Sequence, residues 1–184
     1  MDLSDKTQHS NSNEKEKFPR DVPDTGHMLT GILNGNQVVT SNKSFTAEEA
    51  LYLIEKRQLQ VSPDISGTMI LSMQQLFFLL EVDVDLYQVY CHLRQKGYHV
   101  YRNNVDNVQF QKRQVQLKNS RVIPHFSVYN INSNFRESSR GTPDFQVLVL
   151  NSSDSLDFST IRDNVIPLKL CISNCGNIQF LSVL

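Results

Sequence analysis

Nowhere do these 184 residues contain an apolar run near the roughly 18 that a membrane helix needs; the longest is Leu76-Phe77-Phe78-Leu79-Leu80. The amino terminus is polar rather than signal-like, so neither a membrane protein nor a secreted one is expected. Cysteine is scarce. Cys91, Cys171 and Cys175 are odd in number and lack paired spacing, which argues against a disulfide framework and for neutral thiols in a reducing, intracellular compartment. All seven glycines are isolated, so a phosphate-cradling glycine loop is absent. Metal ligands are missing too: neither Cys171/Cys175 nor His92/His99 has a second pair at a matching interval, and nothing calls for a cofactor. What remains, with 39% hydrophobic residues, is enough for one or two small cores.

Net charge is small, with 18 Lys and Arg against 19 Asp and Glu, but it is segregated. Residues 44–93 hold two basic residues against seven acidic ones. Residues 94–121 hold seven basic ones (Arg94, Lys96, Arg102, Lys112, Arg113, Lys118 and Arg121) against Asp106 alone. An excess of this size suits a phosphate backbone, and it equally suits a solvated strand edge kept soluble by its charges.

Residues 1–43 are rich in Ser, Asn, Lys and Glu and read as a largely disordered arm, ordered on assembly if at all. Within it Met28 to Val39 is dense enough in Leu, Ile and Val to form a short strand or to pack on the core. Three helices then follow. The first starts at the capping box Thr46-Ala47-Glu48-Glu49 and ends near Gln58; the second starts at Ser72-Met73-Gln74-Gln75; the third runs from Asp83 or Asp85 to Gly97. Strand-forming Tyr98 to Arg102 comes next, and helix, glycine, strand is the order of a winged helix, with 108–117 as the return strand of the wing. The chain from 122 becomes mostly strand: 126–131, 145–150, 168–172 and 178–183, with a short helix from Asp157 and a turn over 173–177. The composition thus divides the chain into an arm over 1–43, a helical winged-helix-like domain over 44–121, and an α/β domain over 122–184, an α+β protein in all.

Two catalytic arrangements can be considered. Pro143-Asp144 with Lys169 resembles magnesium-dependent nucleases, but Pro167 stands where their second acid belongs. His125 and Tyr129 are the acid/base pair that a metal-independent ribonuclease would use to deprotonate a 2′-hydroxyl and protonate the leaving oxygen. A lone histidine beside a strand is more often a packing residue.

Several segments carry a family resemblance. The run Glu49-Ala50-Leu51-Tyr52-Leu53-Ile54-Glu55 closely resembles the larger non-catalytic subunit of the eukaryotic tRNA-splicing endonuclease. So do Leu71-Ser72, Tyr87-Gln88-Val89-Tyr90 with Leu93, Gly97-Tyr98-His99-Val100, Phe126-Ser127-Val128-Tyr129, Gly141-Thr142-Pro143-Asp144-Phe145-Gln146-Val147, Pro167-Leu168-Lys169-Leu170 and Gly176-Asn177-Ile178-Gln179-Phe180, in order over most of 45–184.

The resemblance implies a winged-helix-like domain followed by the small nuclease-like α/β domain that all subunits of this enzyme share. It further implies a nuclear heterotetramer of two catalytic and two structural subunits that excises introns from precursor tRNA, with the cytoplasm as the alternative location. The catalytic subunits carry a Tyr, His and Lys triad. Here Thr142-Pro143-Asp144 stands where their His would fall, and no Lys stands near Ile166 or Pro167, so no catalytic residue is expected. The family's long insertion is reduced to Asn103–Ile123, and the often acidic loop before the last strand reads Ser173-Asn174-Cys175-Gly176-Asn177. The expected contacts are precursor tRNA at Arg94, Lys96, Arg102, Lys112, Arg113 and Lys118, and a catalytic subunit at Asn174, Cys175, Gly176, Asn177, Ile178, Phe180, Leu181 and Val183. The alternatives are a free-standing winged-helix nucleic-acid-binding protein and an active ribonuclease using His125 and Tyr129.

Overall fold

A computed structural model describes residues 28–103, 116–118, 121–131, 135–150, 161, 165–174 and 176–183; at 116–118, 121, 122 and 174 it describes the backbone alone. The fold is α+β, with three α-helices and two mixed sheets among the described residues.

The segment singled out for its apolar density forms β1 (Leu29–Asn34) and β2 (Gln37–Val39), an antiparallel hairpin. β3 (Ser44–Phe45) adds to β2, and β4 (Leu59–Ser62) runs parallel to β1. The four-stranded sheet has the order β3-β2-β1-β4. The helix α1 (Ala47–Glu55) crosses over between β3 and β4, and its Ala50, Leu51 and Leu53 bury against Val38, Leu59 and Val61. A strand therefore separates the first helix from α2 (Met73–Leu79) and α3 (Val84–Gln95), which a reading of three consecutive helices does not contain.

The helix termini test the capping signals directly. Ser72 forms a full capping box: its hydroxyl accepts from the Gln75 amide at 3.3 Å, and its own amide donates to the Gln75 side chain at 2.8 Å. Asp83 caps α3 by accepting from the Asp85 and Leu86 amides. Thr46 makes no side-chain cap bond, and the Glu49 carboxylate, which would complete the box from the other side, pairs with Lys43 at 3.0 Å. Ser72→Ala should therefore lower stability by about 1 kcal/mol and Thr46→Ala by much less, as read by urea midpoints.

The helix α3 ends at Gly97, whose φ of +89° is the left-handed conformation that glycine adopts without strain. It serves both cores of the molecule. Tyr87 and Cys91, one turn apart, face the amino-terminal core, while Leu86, Val89, Tyr90 and Leu93 face the second sheet.

That second sheet has the order β11-β10-β9-β8-β5. It comprises β5 (His99–Arg102), β8 (Phe126–Tyr129), β9 (Phe145–Leu150), β10 (Leu168–Asn174) and β11 (Asn177–Val183). The partner of β5 is β8, with Val100 opposite Val128, so the strand expected to start a wing closes one side of this sheet instead. A separate hairpin joins β6 (Gln116–Lys118) to β7 (Arg121–Ile123), the end of the stretch expected to return as the wing; 104–115 lie outside the described residues. The strand β9 matches its apolar run, and Phe145, Val147 and Val149 face α3 while Leu148 and Leu150 bury against Leu168, Leu170 and Ile161 on the far side. The helix expected from Asp157 lies outside the described residues except for Ile161, which is buried.

Candidate functional site

The β10–β11 hairpin is the most informative place in the molecule. Asn174 pairs with Asn177, Cys171 with Phe180 and Leu168 with Val183, an unbroken register whose two-residue loop turns on Gly176 at φ +88°. Only one side of β11 is paired within the sheet, because β11 stands at the end of the strand order. On one face Ile178 and Phe180 pack toward α3, the Phe180 ring lying 5.6 Å from the His92 ring, and the Ser173 hydroxyl donates to Asp85 Oδ1 at 2.6 Å. On the other face Val183 packs beside Leu168 and Leu170, while Leu181 stays 51% exposed. An apolar strand with an open row of backbone donors and acceptors is a template for another strand. Of the residues expected at a partner interface, Asn177, Ile178, Phe180, Leu181 and Val183 lie on this edge with Gly176 in the turn; Cys175 lies outside the described residues, as does the side chain of Asn174.

Asp144 and Lys169, the pair weighed as part of a magnesium-dependent nuclease, both make structural contacts. Asp144 Oδ2 accepts from the Asn130 amide at 2.8 Å, and the Asp144 amide donates to the Val128 carbonyl, so this carboxylate fixes the entry to β9. The Lys169 ammonium sits 4.0 Å from the centre of the Phe145 ring. No group of three His, Cys, Asp or Glu side chains placed to hold a metal occurs among the described residues.

His125 and Tyr129 do not form a pair. Four residues along an extended strand separate them, about 13 Å at the usual rise. His125 is buried, its Nδ1 accepts from the Val149 amide at 2.9 Å, and its backbone amide donates to the Val147 carbonyl, so the imidazole acts as a bracket on β9. Tyr129 packs in an aromatic cluster with Tyr101 and Phe135; His99 stacks on Phe135 at 4.0 Å, and the Arg140 guanidinium lies 3.8 Å over Tyr101. Burial, with Glu137 nearby, pushes the Tyr101 hydroxyl up to about 12. Burial also pushes up the two described thiols, Cys91 to about 11 and Cys171 to about 12, above the range of nucleophilic cysteines.

The basic set divides in two. Arg102 bonds Glu48 at 3.2 Å with its side chain only 10% exposed and its guanidinium over the Phe126 ring, so it leaves the list of phosphate ligands. Arg94, half-buried, donates to the Tyr98 carbonyl and lies 5.7 Å from the Tyr52 ring. Lys96 is exposed at the end of α3. Lys112 and Arg113 lie outside the described residues, and Lys118 stands on β6 with its side chain undescribed.

Charge counting also missed a clasp. Lys43 Nζ reaches Glu49 at 3.0 Å and Glu137 at 2.6 Å, tying α1 to the segment that precedes β9. Burial opposes the charge on Lys43, but the two carboxylates outweigh it and raise its pKa; burial likewise raises that of Glu49, against the pull of Lys43. No local signal marks this contact, since Glu49 and Glu137 are far apart in sequence.

No protein-family model matches the chain, and no curated protein matches it in sequence. Among the described residues no helix is long and apolar enough to cross a membrane.

Proposed function

We propose that this chain is a non-catalytic subunit of a tRNA-splicing endonuclease, which holds a catalytic subunit along β11 and helps to position precursor tRNA for intron excision. The observation that carries this reading is the open apolar edge of β11, which supplements the ordered run of family-like segments over 45–184. In this reading the five-stranded sheet is the nuclease-like unit, and α1 and α2 with the four-stranded sheet belong to the unit that the resemblance describes as winged-helix-like. The complex is a nuclear heterotetramer, and this chain brings no cofactor to it.

Rigorously purified chain should leave an intron-containing precursor tRNA intact, because no His stands at 142–144 and no Lys near Pro167; cleavage by the chain alone would overturn the reading. Contact with RNA falls to Lys96, Lys112, Arg113 and Lys118, now that Arg102 and Arg94 have internal partners. Replacing Lys112, Arg113 and Lys118 together by Gln should weaken binding of the assembled complex to precursor tRNA. The log-log salt slope should flatten by roughly 0.7–0.9 for each lost phosphate contact. An unchanged slope would return these lysines and the arginine to the role of solvated surface.

A further inference from the structure

The outer edge of β11 is matched to itself. The two-residue loop between Asn174 and Asn177 fixes the alternation of the hairpin. Gln179 and Leu181 turn their backbone groups to β10, and Ile178, Phe180 and Ser182 turn theirs outward. A second β11 laid antiparallel beside the first, about a two-fold axis at Phe180, sets Phe180 against its own copy and Ile178 against Ser182. All of these are hydrogen-bonded pairs that exchange two backbone bonds each, so every outward donor and acceptor from Ile178 to Ser182 is satisfied. The side chains suit the same register. Phe180 meets Phe180 on the side that faces α3, a favourable aromatic pair across strands, while on the far side the exposed Leu181 lies beside Gln179.

Sheet edges that must stay single are normally protected by charge, proline, a bulge or a covering segment. From Leu170 to Leu184 the chain contains no Lys, Arg, Asp, Glu or Pro, and the register of β10 with β11 is unbroken. At the end of the other sheet, β4 shows what cover looks like: the Val61 carbonyl accepts from the Leu71 amide at 2.8 Å. Like charges set opposite one another are what make pairing with an identical strand costly, and β11 has none.

We infer that the free chain forms a two-fold dimer through β11, joining two five-stranded sheets into one, and that this self-pairing keeps the edge closed until another strand displaces it. A single strand pair is a small interface, so the dimer is reversible rather than obligate. The self-pairing does not depend on the splicing reading. Its consequence does rest on that reading: the catalytic subunit proposed for the same edge binds only the monomer.

The test is sedimentation velocity of the purified full chain over a dilution series, in which the parent should pass from monomer to dimer as its concentration rises. Ser182→Pro, which removes an outward donor, should weaken the dimer by at least about tenfold. A charge exchange tests the register, because position 179 of one copy faces position 181 of the other. A chain with Gln179→Glu and Leu181→Glu, and another with Gln179→Lys and Leu181→Lys, should each be monomeric, whereas their equimolar mixture should dimerise. Both side chains are exposed and their backbone bonds to β10 are untouched, and unchanged thermal midpoints will show that the variants are folded. A parent that stays monomeric, a dimer indifferent to Ser182→Pro, or glutamate chains that dimerise among themselves overturns the inference. A monomeric parent leaves the catalytic-subunit reading standing, whereas a dimeric parent that recovers no splicing subunit from cells defeats that reading and not this one.

Discussion

Arg102→Ala should destabilise the chain by about 3–5 kcal/mol, the usual cost of removing one partner from a buried ion pair. Both side chains are about nine-tenths buried, and the pair joins α1, in the core of the first sheet, to β5, on the side of the second. The loss is large because Glu48 would be left in place without a counter-charge, at a site where water cannot replace the guanidinium fully. The double variant Glu48→Leu with Arg102→Met should recover most of the loss, since an apolar pair of similar volume needs no compensation. Urea unfolding of the four proteins of this cycle measures both effects. A small change in stability on Arg102→Ala, joined to a marked loss of RNA affinity, would return Arg102 to the basic surface from which its geometry removes it.

If β11 holds a catalytic subunit as proposed, Ser182→Pro should abolish that assembly while leaving the chain folded. The register of β11 determines why this position is informative. Asn174 and Asn177 close a two-residue loop and are therefore a hydrogen-bonded pair. Alternation makes Ile172 with Gln179, and Leu170 with Leu181, hydrogen-bonded pairs as well. The amides of Ile178, Phe180 and Ser182 consequently point away from β10, to the open edge. A proline at Gln179 or Leu181 would break the chain's own hairpin, and one at Phe180 would also remove the ring beside His92. Ser182 is exposed and its amide has no role in the β10–β11 ladder, so a proline there removes a donor only from a strand added outside. Retained thermal stability with lost co-purification is the expected result. Retained stability with full co-purification would show that another surface joins the subunits.

The sequence makes some elements plain and hides others for identifiable reasons. Apolar β9 and the α3 pattern ending at Gly97 are legible because each is long and its periodicity is uninterrupted. The strand β4 is hidden: it has four residues, only three residues separate it from α1, and it is reached through Arg57 at φ +57°, a left-handed position where glycine is the usual signal. Order along the chain suggests a wing, but order does not reveal that β5 bonds to β8, across a long intervening segment. Counting charges has the same limit. Arg102 looks like part of a basic cluster until Glu48, 54 residues earlier, is found beside it, and Glu49 looks like half a capping box until Lys43 claims it. The apolar character of 178–183 makes a strand legible, but only the strand order shows that it stands at the end of the sheet.

The most direct test is to purify the full chain from cells under native conditions, through a tag placed on its amino-terminal arm, and to identify by mass spectrometry what accompanies it. A tRNA-splicing endonuclease catalytic subunit, in equal amount with the parent chain and missing with the Ser182→Pro chain, is the predicted result. A parent chain that is recovered intact and alone, or in company that includes no such subunit, would contradict the account.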